Sequence, residues 1–516
     1  MRQKNSNSQI TQSNLIQATI SGSLSVFSFS EISLWFMIIV SIAWFLLILK
    51  DANKTESLWI GWFFGIGYFG VNIWWIHISI ESFGIPNSLI AVSINAIFIC
   101  LLAVYFSIFG VLINSLSLFK APLLLIAPFI WLLVEISRGY FFTGFPWLVV
   151  GYTQIDSPLS ALLPLVGAHG VSFVIVSLAS CLIFLLSSKS LKQKVFGVFT
   201  AITIIILSSC LQQSEYTTKK GELLNISVVQ GSLPYDVRWS KGSTELIFDQ
   251  YMKLSIDQWN SDILVWPETV FTNPLTLNES EVKLLKSISL RTDTHLILGV
   301  PFLQVADGKI FNSILSITDS IQLYKKRKLV PFGEYFPLRK MFSNFYDTLN
   351  VPLSDFTQSL SEKNKFVVKQ NTIGVLICYE IAFASIARSS LPQAELIVNL
   401  SNDSWFGRSV AAFQHLQIVR VRAAELERPI IRATNTGISA IIDYKGDVIE
   451  SSEQFEAQVI SGEIAGRVGL TPYSKIGEQG VIILALGLVL IALVIRFFGY
   501  RHIELRKEKK RNPHQA

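Results

Sequence analysis

The sequence predicts an α-helical transmembrane bundle of eight spans, with a globular α/β domain inserted before the last span. Three observations predict it. Of the 516 residues, 51% are hydrophobic and only 16% are charged, a balance too apolar for an ordinary soluble chain. The apolar residues gather in runs close to the roughly 20 residues a helix needs to cross a bilayer. Between residues 221 and 467 the charge rises, Pro, Gly and Asn punctuate the chain, and no run reaches that length.

The spans are read in order. Leu15–Phe29 is the weakest, because serines and a glycine interrupt it. Ile32–Leu49, Leu58–Ser79, Leu89–Ile113, Ala121–Ile136, Leu162–Leu186 and Val195–Leu211 follow, and Val481–Phe498 closes the set. The expected organisation is a membrane domain of seven helices (1–212), a globular domain (221–467), an eighth helix (480–498) and a basic tail (499–516).

Lys and Arg accumulate in cytoplasmic loops. Here they occupy alternate loops, with Arg2 and Lys4, Lys50 and Lys54, Lys120, then Lys189, Lys192 and Lys194, and finally the tail. Residues 80–87 and 139–160 carry none. Eight spans with both ends inside satisfy this alternation, which puts the globular domain outside the cytoplasm. The first residues lack the compact apolar core and small-residue site of a cleavable signal. The net charge of +6 does not argue for nucleic acid, because its densest cluster follows a membrane helix and reads as a topology signal. His77, Glu135 and His169 fall toward helix ends and read as interfacial. Trp74, Trp75, Phe141, Phe142, Phe145 and Trp147 suit an aromatic belt or the walls of an acyl-chain site.

Within the globular segment, short runs such as "NISVVQG", "DILVWPE", "THLILGVP", "IFNSILSI", "IGVLICYE", "ELIVNLSN", "PIIRATNTG" and "SAIID" read as strands from their length and β-branched content. "STELIFDQYMKLSIDQW", "NESEVKLLKSIS" and "SVAAFQHLQIVRVRAAELE" carry helical spacing, with Asn278 as an N-cap for the second. Alternation of this kind implies sheets covered by helices. Polar residues collect where strands end, which is where such folds carry function. Glu268 follows "DILVW", Cys378 with Tyr379 and Glu380 follows "GVLI", and Asn402, Asp403 and Trp405 follow "LIVNLS".

Four cysteines occur in the chain, and Cys378 is the one in the globular segment, so no disulfide forms within it. A lone cysteine is most often a small buried hydrophobe. At a strand end before "YEIAFASIARSS", which reads as a helix start, it is also a candidate nucleophile whose thiolate a helix dipole favours. The histidines of the segment, His295 and His415, sit in a strand and a helix and read as structural. Glu268 is then the better base, and a lysine from "YKKRKLVPFGEYFP" the cation that holds an oxyanion. No metal-binding pattern and no phosphate-binding glycine loop is present in the sequence.

Together, "LVWPET", "KKRKLVPFGE" and "GVLICYE" resemble the Glu–Lys–Cys signatures of the nitrilase superfamily. With "TGFPWLVVGYTQID", "VQGSLPYDVRW", "FNSI" and "NDSWFG" the resemblance extends over nearly the whole chain to the membrane-embedded branch, the apolipoprotein N-acyltransferases. It implies an αββα sandwich, Glu268 as general base, Lys326 as oxyanion stabiliser and Cys378 as nucleophile. It implies Glu334 and Glu380 as supporting acids, and Trp239, Tyr379 and Trp405 as pocket and loop residues. No cofactor or metal is implied. The implied substrates are a phospholipid acyl donor and a diacylated apolipoprotein at the bacterial inner membrane, with the catalytic domain on the periplasmic side. Two other readings are a membrane-anchored amidase that uses water, and a transporter or receptor.

Overall fold

In the computed structural model the described residues are 11–83, 87–117, 123–187, 190–233, 243–335, 356–361 and 363–511. Trp239, Arg2, Lys4, Lys120 and Lys189 lie outside them.

Nine helices of the described N-terminal part precede the sheets. They are α1 (Gln12–Ser23), α2 (Val26–Phe29), α3 (Met37–Leu49), α4 (Lys54–Asn72), α5 (Ile76–Phe83), α6 (Ser88–Ser117), α7 (Leu123–Arg138), α8 (Leu163–Ser187) and α9 (Leu191–Leu211). Asn53 caps α4: its side chain accepts the Glu56 N–H at 2.9 Å while the Glu56 carboxylate accepts the Asn53 N–H at 2.8 Å, a reciprocal box that fixes the helix start. Helices α4 and α6 pack backbone to backbone. A methyl group on Gly61 would lie 2.2 Å from the Phe106 carbonyl oxygen, so only glycine permits this approach.

The eight spans expected from hydropathy appear in the structure as fewer long helices. Three described helices are long and apolar enough to cross a membrane, within Ser88–Ser115, Pro158–Ser187 and Lys194–Leu211. A fourth results if α4 and α5, which meet at a 58° bend, count as one span. Three of the remaining apolar runs are broken, short or interrupted by proline, while Val481–Phe498 lies within the helical segment Pro472–Arg511. Leu15–Phe29 divides into α1 and α2, and α3 begins only at Met37. At about 1.5 Å per residue that helix is shorter than a bilayer core. Helix α7 contains Pro128.

Twelve described strands form two six-stranded sheets. The strands are β1 (Thr217–Gln230), β2 (Ile263–Val265), β3 (His295–Gln304), β4 (Lys309–Ile317), β5 (Ile321–Lys325), β6 (Lys365–Val368), β7 (Asn371–Ile377), β8 (Leu396–Ser401), β9 (Ile430–Thr434), β10 (Ala440–Ile442), β11 (Val448–Ser451) and β12 (Gln458–Gly469). The orders are β12-β1-β2-β3-β4-β5 and β11-β10-β9-β8-β7-β6. Strands β1, β2 and β3 run parallel, as do β7, β8 and β9.

Period-two alternation sorts the first sheet's side chains. Ile226, Val228, Ile263, Val265 and Ile297 join one core with Phe366, Ile373 and Val375 of the second sheet. Leu264, Trp266, Leu296 and Leu298 point the other way. They pack with Ile247 and Tyr251 of α10 (Ser243–Leu254) and Val282 and Leu285 of α11 (Ser280–Thr292). The short α12 (Ala384–Arg388) follows β7, α13 (Ala411–Leu426) contacts β9, and α14 (Pro472–Arg511) leads away from β12. Helix α11 starts one residue beyond the expected position, with Glu279 rather than Asn278 as its N-cap.

The bundle and the sheets share buried contacts. Gln414 of α13 accepts the Trp147 indole N–H at 2.8 Å and donates to the Asn72 carbonyl at 3.0 Å. Two groups expected at a membrane interface are buried here. Helix α8 bends at Gly167, whose φ is 64°, which turns His169 inward to within 3.3 Å of Glu478 of α14. Glu135 is buried too, and its carboxylate accepts the Val150 N–H at 2.8 Å.

Candidate active site

The topology brings four strand ends to one edge. Glu268 follows β2. Strand β5 is antiparallel to β4, which is antiparallel to β3, so β5 ends at the same edge as β2 and delivers Lys326 there. In the second sheet, β7 ends at Cys378 and β8 at Asn402 and Asp403.

Glu268 can sit where it does because of Gly299 on the neighbouring strand. A methyl group there would lie 2.6 Å from the Glu268 Cα and 2.9 Å from the Pro267 carbonyl oxygen. The Glu268 carboxylate is buried. Its Oε1 accepts the Asn312 side-chain N–H at 2.7 Å and lies 3.4 Å from Lys326 Nζ. Its Oε2 has no hydrogen-bond partner among the described residues. Lys326, 1% exposed, donates to Glu334 Oε1 at 2.8 Å. Asn312 bridges both acids, donating to Glu334 at 2.6 Å, and its carbonyl accepts the Lys326 backbone N–H at 2.8 Å. One ammonium therefore faces two carboxylates.

The electrostatics follow. Burial pushes the Glu268 carboxyl up, opposed by Lys326 and reinforced by Glu334. Burial alone would push the Lys326 ammonium down, but Glu334 and Glu268 outweigh it and hold the proton firmly.

Cys378 begins a tight 3₁₀ turn, Cys378–Ala382, directly after β7. Its φ is 49°, in the left-handed region that costs a non-glycine residue about 1–3 kcal/mol and recurs at active sites. Surrounding bonds impose it. The Glu380 carboxylate, fully buried, accepts the Ile377 N–H at 2.8 Å and the N–H groups of Arg327 at 2.6 Å and Lys328 at 3.1 Å. Tyr324 donates to it at 2.8 Å. Glu380 thus ties the cysteine turn to the residues that follow Lys326. On the other side, Arg422 donates to the Ile381 carbonyl at 3.0 Å and the Ala382 carbonyl at 3.2 Å.

The thiol does not have the environment expected of a helix N-terminus. The α-helix that follows is the short α12, after the 3₁₀ turn. Burial, then Glu268, push the Cys378 thiol up to about 12, opposed by Lys326. The Glu268 and Lys326 charges both act on the sulfur, in opposite senses.

Tyr379 donates its hydroxyl to the Gly144 carbonyl at 3.0 Å, and its ring stacks toward Trp147 with centroids 6.4 Å apart. The Trp405 ring lies against the "VPFGE" turn, 3.5 Å from where a methyl on Gly333 would sit, and its carbonyl accepts the Ser79 hydroxyl of α5 at 2.6 Å. His415 is buried in α13, and the His295 ring stands near the end of β6, 3.3 Å from the Lys369 N–H. Sequence reasoning gave no role to Asn312, Tyr324 or Arg422. Asn312 lies in the "FNSI" signature, the one signal that could have drawn attention to it. Among the described residues, no group of three or more His, Cys, Asp or Glu side chains is arranged to hold a metal ion.

Such an arrangement, a buried thiol beside a carboxylate and an ammonium, suits acyl transfer through a covalent intermediate. Residues 21–181 match the apolipoprotein N-acyltransferase N-terminal domain, and residues 225–473 match the carbon-nitrogen hydrolase domain. The chain is 31% identical over 493 residues to the apolipoprotein N-acyltransferase of Photobacterium profundum, covering 93% of this chain and 95% of that one. It is 32% identical over 493 residues to the protein of that name in Coxiella burnetii, covering 94% and 100% of the two chains. A third similar protein of that name, from Pasteurella multocida, is 31% identical over 500 residues, covering 93% and 94%.

Proposed function

The chain belongs to the apolipoprotein N-acyltransferase family, and from that premise we propose an N-acylation of lipoproteins that proceeds through a thioester on Cys378. The donor is a phospholipid and the acceptor is the α-amine of an N-terminal diacylglyceryl-cysteine.

In the first half-reaction the Cys378 sulfur attacks the sn-1 ester carbonyl as Glu268 takes the thiol proton. The charge on the tetrahedral oxygen is held by the Lys326 ammonium, with the Tyr379 backbone N–H as a second donor. Collapse breaks the carbon–oxygen bond. The lysophospholipid alkoxide leaves with the proton from Glu268, and the acyl chain stays on sulfur. In the second half-reaction the α-amine attacks the thioester and gives a proton to Glu268. The amide forms, the carbon–sulfur bond breaks, and the thiolate recovers that proton.

The raised pKa values of Cys378 and Glu268 are compatible with this cycle. Moving a proton from sulfur to carboxylate leaves the charge of the buried site unchanged. Burial opposes ionisation of both groups, so only the difference between them governs the transfer. Lys326 lies near either anion. Glu334 balances the ammonium throughout and spares Glu268 for the proton.

The observation that carries this reading is the seam between the nucleophile and the bundle. Tyr379, next to Cys378, bonds the Gly144 carbonyl and stacks on Trp147, so the nucleophile's turn packs directly against the loop that follows α7. Drawing an acyl chain into water costs about 0.8 kcal/mol per CH₂, and a site at the bilayer surface avoids that cost for both substrates. On this reading the apolar helices make up an eight-span bundle in the bacterial inner membrane. The seven-helix part (1–212), the catalytic domain (221–467), the last helix (480–498) and the tail (499–516) are its divisions, and the catalytic domain faces the periplasm. Glu380 supports the cysteine turn, while Tyr379, Trp239 and Trp405 belong to the pocket and its loops.

The test supplies labelled phospholipid with and without a diacylated peptide. Release of lysophospholipid together with an acylated peptide amine is expected. Free fatty acid with no amide product would instead assign the protein as a hydrolase.

A further inference from the structure

The basic run before "VPFGE" carries four cations, and three of them have partners. Lys325 lies over the Phe311 ring, 4.1 Å from its centroid, and donates to the Gln304 side chain. Lys326 faces the two acids of the site. Arg327 donates to the Ser389 hydroxyl at 2.9 Å. Lys328 is different. Its ammonium lies 4.8 Å from the centroid of the Phe383 ring. It is half-buried, and among the described residues it has no ion pair and no side-chain hydrogen bond. Burial pushes the ammonium down, and a ring face returns only part of that cost. Its position is specific. Phe383 follows the Cys378–Ala382 turn, and its ring meets the Tyr379 ring edge to face with centroids 5.0 Å apart. A methyl on Gly144 would lie 3.1 Å from Phe383 Cε1. The Phe383 ring thus joins the Lys328 ammonium to Tyr379, the neighbour of Cys378, at the seam with the loop after α7. Helix α12 follows Phe383 and ends in Arg388, whose guanidinium fills the space that a side chain at Gly477 of α14 would need. Among the described residues Arg327 and Arg388 make no ion pair either, so this wall is cationic and unbalanced.

We propose that Lys328 binds the phosphodiester of the phospholipid donor and so sets its sn-1 ester at Cys378. This rests on the reading of the donor as a phospholipid. A glycerophospholipid carries its phosphate at one end of a three-carbon glycerol and the sn-1 ester at the other. A cation that selects it therefore belongs beside the nucleophile's turn and not at the reacting carbon. The phosphodiester is anionic whatever headgroup it bears. Its oxygens supply the acceptors that the Lys328 ammonium lacks, in a charge-assisted bond. Arg327 and Arg388 attract the same anion at longer range. The acceptor substrate suits this wall poorly, because it brings an amine that a cation repels. The two lysines, two positions apart, then divide the work. Lys328 binds a charge that the ground state already carries, and Lys326 holds the charge that develops on the tetrahedral oxygen. Lys328 determines specificity in this scheme and takes no part in the bond changes.

The test follows acyl transfer by the full-length protein in neutral detergent with three donors. Two are phosphatidylethanolamine and phosphatidylglycerol. The third, without phosphate, is the p-nitrophenyl ester of the same fatty acid. Lys328→Met keeps the length of the side chain and its packing on Phe383. It should raise the KM for both phospholipids about ten- to hundred-fold, the size of a hydrogen bond to a charged group, at a similar kcat. Its preference for phospholipid over the p-nitrophenyl ester should fall by the same factor. Lys328→Arg, which keeps the charge, should recover most of the affinity. An unchanged KM in Lys328→Met overturns the proposal. So does an equal loss with the phosphate-free ester, because the substitution would then disturb the cysteine turn itself. So does a loss with phosphatidylglycerol alone, because Lys328 would then answer to a net negative surface and not to the phosphodiester. A parent protein that takes acyl groups from the p-nitrophenyl ester but from neither phospholipid would overturn the donor reading itself, a failure visible without any Lys328 variant.

Discussion

Two buried ion clusters flank the turn that carries Cys378, and they differ in one respect. Around Arg422 every charge is used. The guanidinium donates to the Ile381 and Ala382 carbonyls and to the Tyr152 hydroxyl, and it pairs with Glu425. Glu425 also accepts the Ala168 N–H at 2.6 Å. Around Lys326 the charges do not balance. Two carboxylates share one ammonium, and Glu268 Oε2 is left without a partner among the described residues. A saturated cluster is locked, because any proton shift breaks a bond. An unsaturated one can take a proton without losing a contact. The first joins the bundle to the nucleophile's turn, and the second is free to do chemistry.

Substitutions sharpen this contrast. The largest effect on rate belongs to the unsaturated cluster. Glu268→Gln keeps the shape and removes the base, and should lower acyl transfer by about 10²–10⁴-fold with little change in melting temperature. Arg422→Ala should act in the opposite way. It strands Glu425 and two carbonyls, and should cost about 3–5 kcal/mol of stability, read by thermal unfolding. If Arg422→Ala melted like the parent, the division into a locked and a reactive cluster would fail.

A smaller effect is expected with pH. The base must be ionised to accept a proton, and burial raises the Glu268 carboxyl above its ordinary range. Activity should therefore fall as pH drops through a midpoint above that of a solvated glutamate, not at it. A pH profile of the acylation step with an acid limb at the ordinary glutamate value would contradict the burial argument. Asn312→Ala should have the mildest effect. It removes the bridge between Glu268 and Glu334 and costs about 1–3 kcal/mol, seen as a moderate loss of rate without loss of the thioester.

The sandwich was legible because its central strands are short β-branched runs between turn residues. "DILVW" and "GVLI" announced the strands that end at Glu268 and Cys378. Strands at the margins were not. Val448–Ser451 is exposed throughout and carries Glu450, so no burial pattern marks it. Strand β12 mixes glycines and charges, and its place beside β1 is set by long-range pairing. The bundle was less legible, since hydropathy cannot foresee the break between α1 and α2 or the bend at Gly167. Within the site, residue types at strand ends pointed to Glu268 and Cys378, and the family resemblance picked Lys326 from its basic run, but only the fold shows Asn312 joining two acids across 44 and 22 positions of sequence. The helix dipole expected to favour the Cys378 thiolate is not found, because the sequence after it folds first as a 3₁₀ turn.

Mass spectrometry of the purified full-length protein, after exposure to phospholipid without acceptor, tests the central claim most directly. The account predicts a fatty acyl adduct on Cys378 that hydroxylamine removes. Acyl transfer that proceeds at full rate with no adduct on that sulfur, or with the adduct on another residue, would contradict it.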